Sequence, residues 1–140
     1  MIKNLFLLIA IIFCANGHAY PAGILVWKDT TVYTKVEHPP DFPGGMKKMY
    51  KFIKNNIQYP VKALENKVKG NVFVAFIIEK NGGLSNIQII QGISYGCDEE
   101  TVRVIKLMPT WIPGKEKGEP KRVKMILPLE FPFVDKYANE

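Results

Sequence analysis

An α+β domain is expected from this sequence: a two-layer sandwich in which a small antiparallel three-stranded sheet carries helices on one face. Three observations predict it. Helical and strand spacings follow one another in the order helix, helix, strand, strand, helix, strand. Two of the strands are joined by Asn81-Gly82-Gly83, a hairpin signal built from residues that tolerate positive φ. With 47% hydrophobic and 23% charged residues in 140, the chain has the apolar content for one core and is not composed like a disordered segment.

Residues 1–4 carry one lysine, residues 5–13 are an unbroken apolar run, and residues 14–19 are small and polar. That order is expected of a secretory signal cleaved before Tyr20, and the apolar run is short of the roughly 20 residues that span a bilayer. An uncleaved short anchor is the alternative. Cleavage would remove Cys14 and His18, leaving Cys97 and His38 as the single cysteine and histidine. A Ser-His-Asp triad, a tetrahedral zinc site and an internal disulfide are then all poorly supplied, so no enzyme, metal site or cofactor is expected. Cys97 is expected to be buried as a small hydrophobe.

Residues 20–41 read as a leader in which 23–27 and 30–37 have extended character. The prolines of His38-Pro39-Pro40-Asp41-Phe42-Pro43-Gly44-Gly45 make that stretch a rigid connector. Met46, Met49, Tyr50, Ile53 and Ile57 give the 45–57 segment helical spacing, with Lys47, Lys48, Lys51 and Lys54 on the opposite face. A second helix is expected to open at Pro60, to bury Ala63, Leu64 and Val68, and to stop at Gly70. Residues 71–80 and 84–92 follow as the hairpin strands. The first is apolar on both faces, which predicts a central strand or a face that meets a partner. Asp98 is expected to cap a third helix, with Val102, Ile105 and Met108 as its buried stripe, helped by Val104. Thr110-Trp111-Ile112-Pro113-Gly114 forms an apolar corner, and residues 115–121 read as a polar loop. The last strand, 122–134, turns Val123, Met125, Leu127, Leu129 and Phe131 to one face. Pro128 within it predicts a sheet edge or a bulge, because proline donates nothing to a ladder.

These residues carry a resemblance. Phe42-Pro43-Gly44-Gly45, Tyr59-Pro60 with Ala63 and Gly70, residues 72–76 with Gly82, Asp98-Glu99, Trp111-x-Pro113-Gly114 and residues 123–131 occur in one order. That ordered set resembles the C-terminal domain of TonB-family energy transducers, from about Phe42 to Phe133. The resemblance implies a domain at 42–134 with a tail at 135–140, in the periplasm. It also implies binding to an extended N-terminal segment of TonB-dependent outer-membrane transporters, which would add beside the last strand. Carried onto this sequence, the partner-binding residues are Arg122, Val123, Lys124, Met125, Ile126, Leu127, Leu129 and Phe131. Arg122 and Lys124 are then available to an acidic segment or serve to protect the edge. Full transducers have a membrane anchor coupled to motor proteins and a long Pro-rich spacer. Only residues 20–41 stand before the domain here, at most about 75–80 Å when extended. A soluble or loosely anchored periplasmic relative is therefore expected, with inner-membrane association and motor coupling if the first segment is uncleaved. Self-association as a homodimer through the two-sided strand is the remaining alternative. The basic residues are dispersed and no recognised motif appears, so nucleic acid is not an expected partner.

Overall fold

The computed structural model describes residues 30–133. The elements in order are β1 (Val32–Tyr33), α1 (Gly45–Asn56), α2 (Val61–Glu65), β2 (Gly70–Ile78), β3 (Leu84–Gln91), α3 (Cys97–Lys106), β4 (Lys115–Glu116), β5 (Glu119–Pro120) and β6 (Arg122–Phe131). The expected α+β sandwich is present, but the sheet has four strands rather than three, in the order β1-β6-β2-β3. β2 pairs antiparallel with both β3 and β6, and is the central strand its two apolar faces imply. The fourth strand, β1, pairs parallel with the start of β6, Val32 beside Arg122 and Tyr33 beside Val123. Of the 30–37 stretch only these two residues form a strand. The extended character of 23–27 lies outside the described residues.

One face of the sheet holds the core. Val72, Val74, Phe76 and Ile78 from β2 join Leu127, Leu129 and Phe131 from β6 beneath Met49 and Ile53 of α1, Ala63 of α2, and Cys97, Val104 and Ile105 of α3. The alternation along β6 is as its sequence period requires. The other face carries Phe73, Ala75 and Ile77 on β2 and Lys124, Ile126 and Pro128 on β6. None of these belongs to the cluster that the helices cover. Two bulges offset β3 against β2, between Phe73 and Val74 and between Ala75 and Ile77, which is why its apolar alternation is blurred at Ile90.

The helices depart from expectation in ways their ends explain. Met46 and Leu64 are exposed instead of buried. α2 stops at Glu65, five residues before Gly70, because Lys67 takes a left-handed φ of 51°. The Val68 N–H then reaches the Ala63 carbonyl and the Lys67 N–H the Leu64 carbonyl, a Schellman closure that packs Val68 near Ala63. Asp98 does not cap α3. Gly96 occupies the N-cap at φ 87°, and the Asp98 carboxylate turns back to accept from the Ile93 and Ser94 N–H groups at 2.9 and 3.3 Å. The buried stripe of α3 is Cys97, Thr101, Val104 and Ile105, centred one step from the expected Val102.

The expected polar loop at 115–121 contains a two-stranded ribbon, β4 with β5. Its turn residues Lys117 and Gly118 both have positive φ, 52° and 79°, as a two-residue hairpin of this twist requires. The ribbon is tied to the leader. His38 and Lys115 exchange backbone hydrogen bonds, Glu37 accepts from the Lys117 N–H, and Glu116 accepts from the Glu37 N–H. Asp41 and Ile112 form a second such bridge.

Candidate functional site

On one side β6 is paired with β2 from Phe131 opposite Gly70 to Val123 opposite Ile78. On its other side β1 covers Arg122 and Val123 only. From Lys124 to Phe131 no strand lies against that side among the described residues. Pro128 sits in the ladder opposite Phe73 and has no N–H to give. A proline fits there when its nitrogen faces away from β2. By the two-residue period of a strand, Lys124, Ile126 and Glu130 turn their N–H and C=O groups the same way, toward the open side. Those groups are what a further strand would pair with.

The eight sequence-derived positions fall into three sets. Leu127, Leu129, Phe131 and Val123 are buried in the domain and Met125 packs against its core, so they hold the strand in place. Lys124 is exposed and Ile126 is 54% exposed, both on the face away from the helices. Pro128 and Glu130, outside the eight, share that exposure. Arg122 is engaged within the protein. Its Nε and Nη2 donate to the Glu79 carboxylate at 2.7 and 2.9 Å, and its Nη1 donates to the Thr30 carbonyl at 2.8 Å. Glu79 also accepts from the Ser85 hydroxyl, so one carboxylate ties β6 to the start of β3. This leaves Lys124 as the accessible cation on the strand. Glu79 is 43 positions from Arg122, beyond the reach of any local sequence signal.

The opposite sheet edge is less regular. β3 is bulged, and Asn86 within it has a φ of 48°, a conformation that breaks the even row of edge donors and acceptors. The β6 ladder, by contrast, runs against β2 without a register shift. Tyr50 of α1 stacks at a tilt on Phe133 just beyond the strand, with ring centres 6.0 Å apart.

A second surface feature is an open hollow of about 360 Å³ lined by Gln58, Tyr59, Pro60, Val61, Gly96, Glu99, Glu100 and Arg103. Glu100 organises its wall. It accepts from the Gln58 N–H at 2.7 Å and from Arg103 Nε and Nη2 at 2.7 and 2.6 Å, while Arg103 also donates to the Asn56 carbonyl. Burial pushes the Glu100 carboxyl up, but the bonds from Arg103 and Gln58 and the Arg103 charge outweigh it and hold the group below its ordinary value. A carboxyl lowered on folding adds stability at neutral pH and loses it as pH falls through the folded-state value. Urea titrations of Glu100→Gln are therefore expected to show a less stable protein at neutral pH. Its stability should also fall less than that of the parent below the ordinary glutamate value of 4.5.

Tyr59 is a packing residue here. Its hydroxyl donates to the Val68 carbonyl, and its ring lies 6.3 Å from that of Phe131. Trp111 is likewise buried. Cys97 is buried at the start of α3; burial first, then the Asp98 and Glu99 charges, push its thiol up and away from the reactive thiolate. Among the described residues no three His, Cys, Asp or Glu side chains gather as metal ligands, and no helix is long and apolar enough to cross a membrane.

Comparison with known proteins gives two positive findings. Residues 55–133 match the model of the family described as Gram-negative bacterial TonB protein C-terminal. Among solved structures, the chain is similar to the Helicobacter pylori TonB C-terminal domain determined by NMR in solution. The two share 21% identity with a TM-score of 0.46, over 64% of this chain and 91% of that one. No curated protein matches. The family match spans more than half of the sequence, from the end of α1 through the whole of β6, and the chain belongs to the TonB C-terminal family.

Proposed function

We propose that this protein binds an extended N-terminal segment of TonB-dependent outer-membrane transporters, which adds as a strand beside residues 124–131 of β6. The observation that carries this reading is the open side of β6, where backbone groups of Lys124, Ile126 and Glu130 face outward next to a fully paired inner side. The TonB C-terminal family generally mediates interaction with such transporters, which supports the choice of partner. Main-chain pairing supplies affinity in strand addition, and flanking side chains supply selectivity. Lys124 and Ile126 are the flanking side chains within reach, and they fit a segment that combines a carboxylate with an apolar residue.

Residues 1–19 act as the export signal or a short anchor, 20–41 as the leader and 42–134 as the binding domain, and the protein works in the periplasm. Binding without chemistry is the whole of its activity in this reading. β1 sets one limit of the site, since its pairing with Arg122 and Val123 stops an incoming strand at Lys124.

The test is Ile126→Pro. It removes an outward N–H without removing a bond to β2. With a synthetic peptide copying a transporter's N-terminal segment, amide shifts in the parent protein are expected at 124–131. The variant is expected to keep its circular dichroism and to bind at least about tenfold more weakly, the loss of roughly 1.4 kcal/mol. Shifts confined to the hollow around Tyr59 and Pro60 would defeat the proposal.

A further inference from the structure

The lysine face of α1 lies outside the core. Lys47, Lys48, Lys51 and Lys54 are all exposed, and the helix holds no aspartate or glutamate. At about 3.6 residues per turn the four lysines share an arc of about 120°. That arc is opposite the buried Met49 and Ile53, and the half-buried Tyr50 and Phe52 on its flanks pack against the core. The lysines therefore point away from the sheet.

Electrostatics within the chain work against this arrangement. Lys47 and Lys48 stand in the first turn, at the positive end of the helix dipole, where a cation is disfavoured. Lys47 and Lys51, four positions apart, repel each other. No carboxylate among the described residues forms an ion pair with Lys47, Lys48 or Lys51. The charge is a cost to the fold, and such local conflicts gather where a surface serves function.

The chemistry of the face selects among anionic partners. α1 has no arginine, the residue whose planar fork suits a carboxylate or phosphate held in fixed geometry. Lysine is depleted from protein–protein interfaces, which are built around aromatic and apolar anchors. Met46, 42% exposed, is the only exposed large hydrophobic of the helix. Flexible, strongly hydrated ammonium groups without a pocket between them suit a surface whose negative charges are many and mobile. We propose that the lysine face of α1 docks the protein on a bilayer containing anionic phospholipid. Each lysine near such a surface strengthens binding about fivefold, the equivalent of about 1 kcal/mol. The attraction fades within a Debye length, about 10 Å at 0.1 M salt and about 3 Å at 1 M. The open side of β6 lies at a sheet edge, not on the face that the helices cover. Bilayer docking and strand addition therefore use different surfaces and fail separately.

Vesicle sedimentation tests it. The protein purified as the cell produces it is expected to pellet with vesicles of phosphatidylglycerol and phosphatidylcholine at low salt. It is expected to stay in solution with phosphatidylcholine alone and to be released from the mixed vesicles at about 1 M salt. Lys47→Gln combined with Lys51→Gln is expected to bind about 25-fold more weakly. Its melting temperature should be unchanged or raised, because a repulsive pair has gone. Lys115→Gln combined with Lys117→Gln removes the same charge from the β4–β5 ribbon and is expected to bind as the parent does. The proposal is overturned if the parent binds neutral vesicles as well as anionic ones, or binds neither. Equal losses in the two double variants would overturn it too, since net charge alone would then account for binding. Polyglutamate binding to α1 as tightly as the vesicles do, at equal charge, would overturn it in favour of an acidic protein.

Discussion

Gly82→Ala is expected to destabilise the protein by about 3 kcal/mol and to lower its melting temperature by about 12–25 °C. Gly82 has a φ of 84°, and a Cβ built there would stand 2.0 Å from the Trp111 carbonyl oxygen and 2.8 Å from the Thr110 Cγ2. The left-handed backbone alone costs alanine about 1–2 kcal/mol. The remaining loss comes from the neighbour, which is backbone and has little room to yield. The Trp111 N–H donates to the Gly82 carbonyl at 2.9 Å, and moving the corner away breaks that bond, worth about 1 kcal/mol net. Gly118→Ala separates the two contributions. Gly118 has a φ of 79°, but a Cβ added there would meet nothing within 4 Å, so only the backbone cost of about 1–2 kcal/mol is expected. Equal losses in the two variants, measured by thermal and urea unfolding, would refute the steric account.

Trp111→Ala is expected to cost about 3–5 kcal/mol, whereas Trp111→Phe is expected to cost about 1 kcal/mol or less. The indole is 3% exposed and meets Phe42 and Phe76 edge-on, with ring centres 5.5 and 5.8 Å away. It joins the hairpin turn, the central strand and the connector before α1, so truncation to alanine leaves a cavity where three segments converge. Its Nε1 is buried with no hydrogen-bond partner among the described residues. Phenylalanine keeps an aromatic ring in the site and removes that unpaired donor, which recovers part of what the smaller ring loses. Because Gly82 and Trp111 touch, Gly82→Ala combined with Trp111→Ala should lose less than the two single losses added. Chemical denaturation of the four proteins measures that coupling.

Glycine at the turn and tryptophan at the corner are each visible in the sequence, yet their contact is not. Asn81-Gly82-Gly83 announces a hairpin because local φ preferences suffice to form one. That the same turn receives the Trp111 backbone is a tertiary fact. Arg122 and Asp98 show the same limit. A basic residue at a strand start reads as available to a partner, and an aspartate before a helix reads as a cap. The fold places Glu79 beside the first and the Ile93–Ser94 backbone beside the second. The second helix ends earlier than its apolar spacing suggests for a related reason. Its stop is a left-handed lysine, a conformation that side-chain identity does not favour and that packing of Val68 near Ala63 stabilises.

Patterns of period two and 3.6 and turn chemistry determine the α+β class, the central position of β2 and the core face of β6, whereas the edge that Pro128 predicts is only partly realised, because β1 lies outside the start of β6. Those three arise from groups within a few residues of one another. Only the tertiary structure decides that β1 pairs parallel with Arg122 and Val123, which makes the sheet four-stranded and leaves 124–131 open among the described residues. A two-residue strand has too little intrinsic preference to be legible in advance. It exists because Arg122 holds the Thr30 carbonyl and the His38–Lys115 and Asp41–Ile112 bridges anchor the chain that follows.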